Sequence, residues 1–157
     1  MRPRSAIKSD LFAAESRALK IDSLGDPLVK ISEVVDFAAL ASEVDRVAPR
    51  VVSAKGGRPP FPTETMVRIL VLKRLYNLSD EQVEFQLVDR LSFQRFCGLT
   101  MAANIPDRTT VWNFENRIGA SGAAALFDSL NAQLLNAQSS LQPWIEKNDE
   151  DLDQTSV

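Results

Sequence analysis

The segment from Leu78 to Gly119 decides the predicted fold and reads LSDEQVEFQLVDRLSFQRFCGLTMAANIPDRTTVWNFENRIG. Ser79 is followed three residues later by Gln82, a capping-box pattern that predicts the start of a helix. Asp107 follows a proline and is a second candidate N-cap. Beyond it, the apolar side chains that recur at helical spacing are Val111, Phe114 and Ile118. Two helices around a glycine-containing turn predict a helix-turn-helix-like unit over about residues 79–118.

The second of these helices has a polar face as well as an apolar one. That face carries Thr109, Asn113, Asn116 and Arg117. Threonine, asparagine and arginine are side chains that bind base edges and phosphates, so one hypothesis is a helix that reads DNA. The alternative is an ordinary surface helix, which also has one apolar and one polar face.

Length and composition indicate a single globular domain. The chain has 157 residues, of which 45% are hydrophobic, enough for a buried core. No apolar run is long enough to span a membrane, and no apolar segment follows the basic N-terminus as in a secretory signal. We therefore expect a cytoplasmic protein without a membrane partner.

Several kinds of catalysis are excluded by the residue content. There is no histidine and Cys97 is the single cysteine, which excludes Ser-His-Asp and Cys-His catalysis and leaves no cluster for a structural zinc. The carboxylates lie at predicted helix caps, on solvated faces or near the C-terminus, where nothing holds them rigidly around a metal ion. We expect no metal, no cofactor and no enzymatic activity in this chain, and a buried, inert Cys97.

Charge is distributed unevenly along the chain. Residues 55–118 hold nine basic and seven acidic side chains, whereas residues 119–157 hold one basic and six acidic ones. The net charge of −3 therefore reflects an acidic C-terminus, and the helix-turn-helix-like segment is mildly basic.

The fold class predicted for the whole chain is all-α, a compact multi-helix bundle. Residues 1–9 are expected to form a flexible N-terminus, 10–138 the helical domain, and 139–157 a disordered acidic tail. The predicted helices span 10–21, 32–48, 63–76 (capped by Thr63), 80–91, 107–118 and about 121–137, with a helical turn at 93–96 that ends at Gly98.

A basic linker, KGGRPPFP, connects two predicted helices at residues 55–62. Its Lys55 and Arg58 allow an arm that lies in a narrow A·T minor groove. The linker is also consistent with a loop that only delivers the next helix, and its short motif favours that interpretation.

Four runs of residues resemble one family: KGGRPPFPTE from Lys55, LVLKRLYNLSDEQ from Leu70, DRLSFQRFCGL from Asp89 and IPDRTTVWNF from Ile105. They are similar to the N-terminal, InsH-type domain of bacterial insertion-sequence-five transposases. The resemblance extends over about residues 11–138. It implies an end-binding helical domain that precedes a ribonuclease-H-like domain with an Asp-Asp-Glu triad. No catalytic position of that family is found in this chain, so the resemblance implies a transposase truncated before its catalytic domain.

The resemblance implies double-stranded DNA, the terminal repeats of the element, as the partner. We expect Asn113, Asn116 and Arg117 to face bases, and Arg108, Thr109 and Thr110 to lie near phosphates. Lys55 and Arg58 would hold a flanking strand. Family members often carry a basic residue where this chain has Glu115, which is expected to weaken phosphate contact.

Three roles remain open from the sequence. The chain can bind element ends and thereby inhibit a full-length transposase, with which it can also form mixed assemblies. It can be a helical module for protein interaction or self-association. It can also be a non-functional remnant.

Overall fold

A computed structural model describes residues 10–51 and 54–154, with side chains described as far as Ser139. These residues form helices and no strand, which confirms the all-α prediction. The helices are α1 (Ala13–Leu24), α2 (Pro27–Val34), α3 (Phe37–Val47), α4 (Thr63–Leu75), α5 (Asp80–Asp89), α6 (Leu91–Cys97) and α7 (Arg108–Gln154).

The centre of the bundle is α4, which packs against α3, α5, α6 and α7. Its buried apolar side chains point in nearly every direction: Met66, Val67, Ile69, Leu70, Val71 and Leu72. The sequence from Met66 to Leu75 is apolar nearly all round the helix, a pattern that predicts a central position because such a helix is stable only when it is surrounded, and the structure confirms this prediction. Phe37, Leu40 and Val44 of α3 cover it from one side.

One predicted helix is wrong, because residues 32–48 belong to two helices. The chain is extended at Val35, and Asp36 then caps α3 by accepting a hydrogen bond from the Ala39 amide at 2.9 Å. The side chain of Gln133 on α7 accepts a 2.6 Å bond from the Asp36 amide. Periodicity suggested continuity here, but an aspartate that bonds a following amide stabilises a new helix start.

Two other helix starts differ in how well the sequence predicted them. Ser79 and Gln82 form the predicted capping box, with reciprocal bonds of 3.2 and 2.9 Å. Thr63, in contrast, does not cap α4. Pro62 occupies the cap position, and the Thr63 hydroxyl instead donates to Asp45 at 2.9 Å and accepts from Arg50 at 2.7 Å.

Helix α7 is divided at Gly119, whose φ of 60° and ψ of −165° interrupt the helical backbone. Such a conformation suits glycine, since other residues rarely adopt a positive φ. The two predicted helices, 107–118 and about 121–137, therefore occupy the two sides of this kink. Leu126 and Leu130 beyond the kink are buried as expected, whereas Leu135 is 63% exposed.

The first described helix adds little to the core. Helix α1 begins at Ala13 and has no buried residue, although Arg95 of α6 binds its Asp22 at 2.6 Å. The predicted flexible segment 1–9 lies outside the described residues. The backbone of α7 continues to Gln154, but the side chains from residue 140 onward lie outside the description, so a disordered tail stays a prediction. No described helix is long and apolar enough to cross a membrane.

Candidate nucleic-acid interface

A groove of about 400 Å³ lies between the 58–61 segment and the first part of α7. We call the 55–61 segment the arm, residues 108–118 the recognition segment, and this cavity the arm groove. Four of the eight residues predicted to bind DNA line the arm groove: Arg58, Thr110, Asn113 and Arg117. Folding thus brings together side chains that are more than fifty residues apart in sequence.

Arg117, predicted to face bases, makes its closest contacts with the protein itself. Its Nη1 donates to the carbonyl oxygen of Ala48 at 2.9 Å, and its guanidinium stacks 5.0 Å from the centre of the Phe114 ring. Its Nη2 is buried, has no hydrogen-bond partner among the described residues and lies 4.0 Å from Asp45. Burial lowers the pKa of Arg117, and the Arg50 guanidinium nearby lowers it further. The floor of the arm groove therefore carries a guanidinium in an environment short of negative charge.

Arg50 was missed by the sequence analysis and holds the arm in place. Its Nη2 donates to the carbonyl oxygen of Phe61 at 2.6 Å and to the Thr63 hydroxyl at 2.7 Å. Its Nε is 4.0 Å from Asp45. The residue lies outside every helix, so helical periodicity could not single it out.

The arm reaches the groove through a turn at Gly56 and Gly57, with φ angles of 68° and 135°. Both values lie in the region that favours glycine. Arg58 follows directly, is exposed at the groove, and makes no hydrogen bond or ion pair with the described residues. Lys55 is also exposed but does not line the groove.

An exposed polar stripe runs along the recognition segment from the α5 side to the arm groove, which its Asn113 lines. Thr109, Asn113 and Asn116 follow one another at offsets of four and three, and all three are exposed. Residues at such spacing lie on one side of a helix. The structure therefore presents three residues of the predicted polar face to solvent, whereas the fourth, Arg117, is half-buried. Val111, Phe114 and Ile118 of the opposite face are buried as the sequence predicted.

The N-terminus of the recognition segment is capped as predicted. The carboxylate of Asp107 accepts a 2.7 Å bond from the Thr110 amide. Hydrogen bonds from the Thr110 side chain and amide lower the pKa of Asp107. Thr110 thus takes part in the cap at the same time as it lines the arm groove.

The other side of the recognition segment faces α5 and is neutralised by carboxylates. Arg108 Nη1 binds Glu81 Oε1 at 2.8 Å, an exposed ion pair. A smaller cavity of about 210 Å³ lies here, between Asp80, Arg108, Thr109 and Trp112. Two predicted phosphate contacts, Arg108 and Thr109, therefore lie on this acidic side rather than in the arm groove.

Glu115 belongs to a half-buried ion cluster on the same side. Lys73 Nζ donates to Asp80 at 2.5 Å and to the two carboxylate oxygens of Glu115 at 2.7 and 2.8 Å. Burial by itself would lower the pKa of Lys73, but the hydrogen bonds that its ammonium donates to Asp80 and Glu115 prevail and raise it. The cluster joins α4, α5 and α7, which the sequence did not predict.

The single thiol and the described carboxylates were also considered by the sequence analysis as possible reactive or metal-binding groups. Cys97 is buried, as expected, and burial raises its pKa to about 12. Within the described part of the chain, no group of three or more Cys, Asp and Glu side chains could hold a metal ion.

Comparison with known families matches residues 16–117 to the transposase domain (DUF772) family. The match covers more than half of the chain and includes both the arm and nearly all of the recognition segment. The chain belongs to the transposase domain (DUF772) family. No solved structure matches it.

Proposed function

We propose that this transposase-type domain binds the terminal repeats of an insertion element as double-stranded DNA, through the recognition segment. The observation that carries the proposal is the exposed stripe Thr109–Asn113–Asn116, whose middle residue, Asn113, also lines the arm groove. Asparagine can make a bidentate contact with adenine in the major groove, and threonine can contact bases or phosphates. In this arrangement the recognition segment enters the major groove and the arm follows a flanking strand.

The charge beside the stripe supports a phosphate backbone on the arm side. Arg50, Arg58 and Arg117 line the arm groove, and Arg50 and Arg117 each lie 4.0 Å from the same carboxylate, that of Asp45. The excess of positive charge is local, so the net charge of −3 of the whole chain does not oppose it. The Asn side chains would then select the sequence, while the arginines would set position and affinity.

Fluorescence anisotropy with labelled duplexes tests this function. One duplex carries the terminal repeat of the element that encodes this chain, and the other carries the same bases scrambled. We expect tighter binding to the repeat than to the scrambled duplex. If three phosphates are contacted, the logarithm of the association constant should fall with the logarithm of the salt concentration at a slope of about −3. Equal affinity for both duplexes, or an affinity that salt does not change, would contradict the proposal.

We further propose that the chain contributes recognition and no strand chemistry, and that it therefore competes with a full-length transposase for element ends. Co-expression of the two should lower the transposition frequency. A chain carrying both Asn113→Ala and Asn116→Ala should inhibit less, because these exposed changes remove base contacts and leave the core intact. If this variant inhibits as strongly as the unchanged chain, inhibition does not depend on DNA recognition.

A second candidate function is self-association through α5. Phe85 and Val88 on that helix are 64% and 62% exposed, although both are large apolar side chains. Sedimentation velocity tests this role. A dimer that Phe85→Ser converts to a monomer would support it, and a monomer at all concentrations would oppose it.

A further inference from the structure

We infer that the arm groove holds one unpaired nucleotide of the bound DNA, with its phosphate near the guanidiniums and its base against the apolar wall. This inference rests on the proposed DNA binding, because it states which part of the DNA the groove receives. It does not depend on which base sequence the recognition segment selects.

The polar part of the arm groove has an excess of positive charge and therefore suits an anion. Arg50 and Arg117 each lie 4.0 Å from the same carboxylate, that of Asp45, so one negative charge is shared by two positive ones. The charge of Arg117 is compensated only in part by Asp45, because Nη2 is 4.0 Å from that carboxylate and makes no hydrogen bond with the described residues. Arg58 adds a third guanidinium at the groove, and it makes no ion pair with the described residues. A phosphate supplies the charge and the acceptor oxygens that these groups lack.

The rest of the lining is apolar and suits a flat apolar group attached to that anion. This lining consists of the exposed rings of Pro59 and Pro60, the half-buried Phe61, and the largely buried Met66 and Phe114. A nucleobase can stack on exposed rings of this kind, whereas an inorganic anion makes no use of them. Asn113, at the same groove, carries an amide that can bind a base edge.

The size of the arm groove selects a single nucleotide. A volume of about 400 Å³ is at the lower end of the range for small-ligand sites, roughly 300–1,000 Å³. A base pair, with its two sugars and phosphates, does not fit in this space. A base that lies inside the groove against its apolar lining cannot also stay paired, so we assign the site to a nucleotide of a single-stranded overhang or one extruded from a duplex.

Anisotropy with three matched DNA probes tests the inference. The probes are a blunt duplex carrying the terminal repeat, the same duplex with a short thymidine overhang, and that duplex with abasic sugars in the overhang. We expect the thymidine overhang to bind at least about tenfold tighter than the blunt duplex, equivalent to about 1.4 kcal/mol. The abasic overhang should lose most of this advantage, because it keeps the phosphates but has no base to stack.

Two variants test whether the overhang binds in the arm groove. Arg58→Gln removes an exposed guanidinium without a partner among the described residues, so folding is not expected to change, and it should reduce the ratio between overhang and blunt affinities. Arg46→Gln is the matched control, since Arg46 lies on α3 with a side chain 70% exposed and pairs only with Glu43. It should leave the ratio unchanged. Equal ratios for the two variants would overturn the assignment to the groove.

The outcomes separate the inference from the proposed function. Binding of the blunt repeat without any advantage for the overhang would overturn the inference and leave duplex recognition intact. Binding that requires the overhang and ignores the duplex sequence would support the inference and contradict the proposed function. Binding of free thymidine monophosphate is the last measurement. If this nucleotide binds the protein as tightly as the overhang does, the groove takes a free nucleotide, and the assignment to DNA is wrong.

Discussion

The two sides of the recognition segment carry similar numbers of cations but differ in what those cations bind. On the arm side, Arg50 and Arg117 share Asp45, and Arg58 has no partner among the described residues. On the α5 side, Arg108 pairs with Glu81, and Lys73 binds two carboxylates. The difference teaches that the fold, and not the number of basic residues, decides how much positive charge stays uncompensated, and it is why we propose the phosphate contacts on the arm side.

The largest expected effect comes from breaking the ion cluster on the α5 side. Lys73→Met leaves Asp80 and Glu115 half-buried without their cation. Loss of one partner from a fully buried pair costs about 3–5 kcal/mol, and partial exposure reduces this to about 2 kcal/mol here. Urea unfolding followed by circular dichroism measures the change.

Arg108→Gln is the control for the same side of the molecule. Its pair with Glu81 is exposed, so its loss should change the free energy of unfolding by less than about 0.5 kcal/mol. Equal destabilisation by Lys73→Met and Arg108→Gln would mean that the cluster is no more important than a surface ion pair.

The next effect concerns DNA affinity and compares the two sides directly. Asn113→Ala removes a base contact beside the arm groove and should weaken binding to the terminal repeat about tenfold. Arg108→Gln should weaken it less than about twofold, because Glu81 already neutralises that guanidinium. Anisotropy at constant salt measures both. A larger loss for Arg108→Gln than for Asn113→Ala would reverse the orientation that we propose.

The smallest effect is a dependence of stability on alkaline pH. The folded-state pKa of Lys73 is raised above its ordinary value of 10.5. Protonated Lys73 therefore stabilises the fold fully below about pH 10.5, and this contribution is lost as pH rises through the higher folded pKa. Urea midpoints measured across this range should fall for the unchanged chain.

Lys73→Met serves as the reference for that titration. It lacks the amine but keeps the other groups that titrate at high pH, so its urea midpoint should fall less steeply. Parallel curves for the two proteins would show that the cluster does not contribute to the alkaline loss of stability.

Features that depend on neighbouring residues could be predicted from the sequence. The capping box at Ser79 and Gln82, the Asp107 cap and the apolar pattern of α4 involve groups within a few helical turns, and the structure confirms all three. The split between α2 and α3 was missed although Asp36 and Ala39 are close in sequence, because apolar periodicity continues across it. The start of α3 is also stabilised by the hydrogen bond that the Asp36 amide donates to Gln133, a residue in a distant part of the chain.

The candidate site was predicted only in part, because some of its features depend on contacts between residues far apart in the sequence. The polar stripe of the recognition segment follows from helical spacing, so Thr109, Asn113 and Asn116 could be assigned to one exposed face. The groups that surround each charged side chain could not be predicted from helical spacing. Glu115 finds its partner 42 residues away in Lys73, and Arg117 finds its carbonyl acceptor 69 residues away in Ala48.

The sequence by itself determined the helical class, the central position of α4 and the break at Gly119, because periodicity, apolar content and backbone freedom are local properties. Only the tertiary structure decided which cations are neutralised and which line the arm groove. Ion pairs form between whichever charged groups folding brings within about 4 Å, and the spacing of residues along a chain does not specify those distances.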